Sequence, residues 1–158
     1  MTSTILPHPQ FDLVVERVID LSPEQVWAAW TQPELLKQWF CPAPWTVPEC
    51  DLNVRPGGVF RAVMRGPEGQ EFDSSGCYLE VVPNRRLVWT DTMLPGFRPA
   101  GMGIMTAVIT MEPEGSGTRY TARAMHADEK RAQQHALMGF EQGWGKALDQ
   151  MVALMKSL

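Results

Sequence analysis

The chain has 158 residues, 44% of them hydrophobic and 20% charged, a balance that suits one ordinary globular domain and excludes a disordered or fibrous chain. No apolar run approaches the roughly 20 residues of a membrane helix, so no membrane partner is expected. The formal net charge of −4 removes the electrostatic attraction that nucleic acid or an anionic surface would exert, and ten Met with six Trp are the one compositional excess.

Residues 1–10 carry Pro7 and Pro9 and read as a loose lead-in to a single domain over 11–158. This start has no basic segment followed by an apolar one, so it does not read as an export signal. Cys41, Cys50 and Cys77 are an odd number of thiols with no CxxC spacing, which predicts reduced cysteines and a cytoplasmic location. Neither a zinc-site spacing with His8, His126 and His135 nor a Gly-rich phosphate fingerprint occurs, so no metal and no cofactor are expected.

Residues 11–20, FDLVVERVID, alternate as a strand with Leu13, Val15 and Ile19 on one face and Val14 and Val18 on the other, which predicts cover on both sides. Ser22-Pro23-Glu24-Gln25 starts a helix: Ser22 caps, Pro23 suits the first helical position, and Gln25 holds the capping-box position. Val26, Trp27 and Trp30 follow on it. Pro33 opens a second short helix, expected over 34–40 with Leu35, Leu36 and Trp39 apolar.

From residue 41 to 126 strands and turns take over. Strands are expected at 46–54, 59–65, 72–82, 87–92, about 107–111 and 118–125, and the short links between them make neighbours antiparallel. The turns are Arg55-Pro56-Gly57-Gly58, Gly66-Pro67-Glu68-Gly69, Pro83-Asn84 and Gly115-Ser116-Gly117. The loop Met93–Met105 reads either as a lid, with Phe97 and Met102 closing a cavity mouth, or as an unstructured crossover. In the helical tail from Asp128, Phe140, Trp144, Leu148, Met151 and Met155 form one stripe. Glycines at 139, 143 and 145 disfavour helix, which predicts a break near Gly139 and a main helix over 140–156. Met64, Met111, Met138, Met151 and Met155 are expected in one interior.

Strand, two short helices, a six-strand meander and a long C-terminal helix make an α+β helix-grip arrangement. Residues 23–40, PEQVWAAWTQPELLKQWF, resemble the START-like (SRPBCC) superfamily, and more narrowly its branch named for the activator of Hsp90 ATPase homologue (the AHSA1 domain). The stretches GGVFRAVMRGPEGQEF at 57–72, GCYLEVVPNRRLVWT at 76–90 and GFEQGWGKALDQM at 139–151 are similar to the same branch. The resemblance implies a curved sheet wrapped around the long helix with a deep cavity between them. Its members include lipid carriers, hormone receptors, polyketide aromatases and cyclases, and a co-chaperone domain, so the fold alone leaves the function open.

Strand parity and the helical stripe select the residues that would line such a cavity: Trp39, Phe60, Met64, Tyr78, Trp89, Ile109, Met111, Tyr120, Phe140, Trp144 and Leu148, with Asp91 beside them. The first reading is binding of a small hydrophobic or aromatic molecule there, with no catalytic residue assigned; a homodimer is compatible with it. The second is a cyclase- or aromatase-like enzyme in which Glu80, Asp91, Tyr78 or His126 moves protons. It requires two of those side chains to converge on the cavity. In the alternative, Glu80 and Asp91 lie on a solvated face or pair with Arg61, Arg85 or Arg123. His126 and His135 are read as proton donors or as hydrogen-bonded structural residues. A third reading is a chaperone-interaction module. Serine chemistry is excluded because Ser74, Ser75 and Ser116 have no GxSxG setting, and Arg85-Arg86 is too small a patch for nucleic acid.

Overall fold

The computed structural model describes residues 8–158; the expected lead-in over 1–7 lies outside the described residues. The elements in order are β1 (Asp12–Ile19), α1 (Pro23–Thr31), α2 (Pro33–Leu36), β2 (Thr46–Leu52), β3 (Val59–Arg65), β4 (Glu71–Val82), β5 (Arg86–Thr90), β6 (Met93–Leu94), β7 (Arg98–Pro99), β8 (Thr106–Glu114), β9 (Gly117–Met125), α3 (Glu129–Leu137) and α4 (Phe140–Ser157). Among the described residues seven strands form one antiparallel sheet in the order β1-β9-β8-β5-β4-β3-β2, and β6 pairs with β7 in a separate two-stranded sheet. β1 and β2 are therefore the two edges, and the connection through α1 and α2 carries the chain from one edge to the other. This is the expected α+β helix-grip architecture. No helix among the described residues is long and apolar enough to cross a membrane.

Local chemistry explains why the helices start where they do. The Ser22 hydroxyl accepts from the Gln25 amide, and the Gln25 side chain accepts from the Ser22 amide at 2.8 Å, a complete capping box. The α2 helix is shorter than expected: it ends at Leu36, and residues 37–40 tighten into turns whose amides bond back to Pro33, Leu35 and Leu36. Gly139, with φ 93°, lies between α3 and α4, at the expected break, because a left-handed residue cannot continue a helix.

The core lies between the sheet and the helices, with Val15, Trp30, Leu36, Phe60, Leu87, Trp89, Ile109, Leu148 and Met151 among its buried members. Polar ties seat α4, which is about 27 Å long, on that core. Arg17 on β1 pairs with Asp149 at 2.5 Å, and Lys156 with Asp20 at 2.7 Å. At the other side the Gln150 amide donates to the Trp39 and Cys41 carbonyls and accepts from the Ala43 amide.

Three expectations about faces are corrected. Val14 and Val18 are 48% and 54% exposed, because no helix among the described residues covers the outer face of β1. Met138 is 72% exposed at the end of α3, just before the chain turns into α4. On β4, Tyr78 pairs with Trp89 but Glu80 pairs with Val88, so a bulge at Leu79 reverses the alternation. Tyr78 and Glu80, which unbroken strand alternation is expected to put on one face, therefore lie on opposite faces. Glu80 turns outward and pairs with Arg86, which none of the expected partners matches.

Candidate functional site

A cavity of about 250 Å³ lies between the concave side of the sheet and α4. Its wall is built from α1 (Trp30), the segment after α2 (Trp39, Phe40, Cys41, Pro42), β3 (Phe60, Met64), Ser74 on β4, Trp89 on β5, Asp91, the loop before β8 (Ile104, Met105), Tyr120 on β9, His135 on α3, and Gly143, Trp144, Ala147 and Leu148 on α4. Ile104 is 44% exposed and marks the solvent side.

One aromatic cluster forms much of this wall. Phe60 stacks on Trp89 with centroids 4.3 Å apart, and Trp30 meets Trp39 edge-on at 4.9 Å. Phe40 lies within 6.3 Å of Trp30, Phe60 and Trp89. Two of the indoles are pinned: Trp39 Nε1 donates to the Ala29 carbonyl at 3.0 Å, and Trp30 Nε1 to the Tyr120 hydroxyl at 3.2 Å. Trp89 is different. It is 3% exposed, and its Nε1–H has no acceptor among the described residues. A buried donor without a partner costs about 1–3 kcal/mol.

The polar groups at the wall are few. The Asp91 carboxylate accepts from the Ile104 and Met105 amides at 2.7 and 3.0 Å, so it fixes the rim loop. Phe97, expected over the mouth, lies instead against Gly57, where the Gly96 amide donates to the Gly57 carbonyl. Met102 does not line the cavity, and the 93–99 segment is a short β6–β7 hairpin rather than an unstructured crossover. His126 Nδ1 lies 2.7 Å from the Phe11 carbonyl and His126 Nε2 lies 2.8 Å from His135 Nδ1. Burial, then the neighbouring His126, pulls His135 down to about 4. Burial pushes the Cys41 thiol up to about 11 and raises the Tyr120 phenol, so neither is a nucleophile near neutral pH. Among the described residues no cluster of ligating side chains could hold a metal.

The structure brings Trp39, Phe60, Met64, Trp89, Asp91, Tyr120, Trp144 and Leu148 together on the wall. It places the other expected lining residues elsewhere. Tyr78 is fully buried with its ring edge-on to Phe60, and burial raises its phenol. Ile109 and Met111 are fully buried on β8, against which α1 packs. Phe140, the first residue of α4, is wedged between the His135 and Trp144 rings. Of the four groups from which the enzyme reading needs two, only Asp91 reaches the wall, since Glu80 faces outward, Tyr78 is packed away and His126 stands behind His135. The expected lining left out Trp30 and Phe40, and His135, read as a proton donor or a structural residue, stands on the wall with its Nδ1 hydrogen-bonded to His126. Trp30 and Phe40 carried an available signal, as large aromatics in the α1–α2 connection that bridges the sheet edges.

A family model, the Activator of Hsp90 ATPase homolog 1-like protein, matches residues 20–156. The chain belongs to that family. Within the START-like superfamily its fold matches solved structures over almost the full length. A Nitrosomonas europaea protein is 44% identical with a TM-score of 0.93, covering 96% of this chain and 97% of that one. The AHSA1 protein of Silicibacter pomeroyi is 25% identical with a TM-score of 0.69, covering 92% and 97%. A Rhodobacter sphaeroides protein at 24% identity and a TM-score of 0.83, covering 98% and 99%, shows the same fold. Comparison with curated proteins found no match.

Proposed function

We propose that this AHSA1-family protein binds a small aromatic or hydrophobic molecule between its sheet and α4. The observation that carries the reading is the cavity of about 250 Å³ with the aromatic faces of Trp30, Trp39, Phe60 and Trp89 in its wall. Apolar cavities of about 150 Å³ hold a benzene-sized molecule, so this one suits a single ring with several further heavy atoms, or a small bicycle. Long lipid chains do not fit. Trp and Phe faces provide the apolar contact area that such a ligand loses from water, at roughly 25 cal/mol per Å². Nothing on the wall combines a nucleophile with a base, which supports binding over catalysis.

Thermal shift measures this directly, because a ligand of the folded state stabilises it by RT ln(1 + [L]/Kd). At a hundred times Kd the gain is about 2.7 kcal/mol, or roughly 5–11 °C for a chain of this size. A panel of substituted benzenes, indoles and small bicycles is expected to contain such stabilisers. No shift from any member at millimolar concentration contradicts the reading.

A further inference from the structure

We propose that the cavity selects neutral aromatic molecules carrying a hydroxyl, a phenol being the simplest, and that His135 Nε2 accepts the hydrogen bond from that hydroxyl. The inference rests on the binding function proposed above and names its ligand class.

The argument starts from a carbonyl that can only accept. His126 Nδ1 faces the Phe11 carbonyl at 2.7 Å, so in the neutral ring this nitrogen carries the proton. The His126 Nε2 lone pair then faces His135 Nδ1 at 2.8 Å, and His135 must donate from Nδ1. His135 is left with a bare lone pair on Nε2. That atom makes no hydrogen bond with any described residue, although the ring is buried and forms part of the cavity wall. The backbone of Phe11 thus dictates, through two imidazoles, a free acceptor on a residue that borders the mostly apolar cavity and the smaller cleft beside Arg131.

One further observation favours a neutral ligand. The described wall contains neither Lys nor Arg, and its one formal charge is the Asp91 carboxylate, so an aromatic carboxylate would enter without a counter-ion. A hydrocarbon or an ether, having no donor, would leave His135 Nε2 unpaired.

The test is calorimetric titration of the full chain at pH 8 with 4-ethylphenol, 4-ethylanisole, ethylbenzene and 4-ethylbenzoate. 4-Ethylanisole keeps the ring and the acceptor oxygen and replaces the donor hydrogen by a methyl group, so the comparison in His135→Phe separates the lost donor from the added bulk. 4-Ethylphenol is expected to bind roughly tenfold more tightly than 4-ethylanisole, and 4-ethylbenzoate most weakly of the four. In His135→Phe the preference for the phenol over the ether is expected to vanish. Equal affinities of phenol and ether for the wild-type chain overturn this inference and leave the binding function standing; no binding by any of the four overturns both. Nitrogen NMR of the wild-type imidazoles reads the same chain without a variant. It is expected to show His135 protonated at Nδ1 with Nε2 bare, and protonation at Nε2 instead overturns the inference.

Discussion

Ala147→Leu separates a cavity from an ordinary core by the sign of its effect. Ala147 is buried on α4 and its side chain borders the open volume of about 250 Å³. Leucine adds three carbons, each contributing about 0.8 kcal/mol when fully buried, for an upper bound of about 2.4 kcal/mol. Rotamer ordering and imperfect fit take back part of this, so the net expectation is a gain of about 1 kcal/mol, or roughly 2–4 °C in Tm. The same change at Ala124, fully buried on β9 and not on the wall, has no space to enter and should lose about 1–3 kcal/mol. Urea unfolding of both variants gives the two signs, and thermal shift with a bound aromatic shows whether Ala147→Leu also abolishes ligand stabilisation. If Ala147→Leu is destabilised as much as Ala124→Leu, the volume beside α4 is not open and the reasoning fails.

Two other consequences concern the frame of the site. At Gly76 an added Cβ would stand 2.2 Å from the Thr90 carbonyl oxygen, a backbone atom that cannot move aside, so Gly76→Ala should cost at least about 3 kcal/mol. Chemical denaturation within 1 kcal/mol of wild type would refute that estimate. His135, held at about 4 against an ordinary 6.5, binds a proton more readily when unfolded. Its contribution to stability is therefore present above pH 6.5 and lost as pH falls toward 4; the difference between wild type and His135→Phe should grow across that window, and a flat difference would refute it.

What could be read in the sequence was whatever local chemistry controls. The β3 boundaries at 59 and 65, the Ser22–Gln25 capping box and the break at Gly139 all rest on residue types with strong local preferences. Strand parity and the α4 stripe also placed Phe60, Trp89, Trp144 and Leu148 on one volume. The rest depended on tertiary packing. No residue type announces the bulge at Leu79, which alone reversed the direction of Glu80. Burial on β8 looks the same in sequence whether a cavity or α1 covers it, so Ile109 and Met111 were indistinguishable from wall residues. The His126–His135 pair joins the end of β9 to α3, and only the chain reversal between them brings the rings into hydrogen-bonding range.

Fluorine NMR of the chain labelled with 5-fluorotryptophan tests the central claim most directly, because the six Trp divide cleanly. Trp30, Trp39, Trp89 and Trp144 line the cavity, whereas Trp27 and Trp45 do not. Titration with a small aromatic ligand is predicted to shift the first four resonances, Trp89 most, and leave Trp27 and Trp45 in place. Shifts confined to Trp27 or Trp45, or saturation of binding with Trp89 unmoved, would contradict the account.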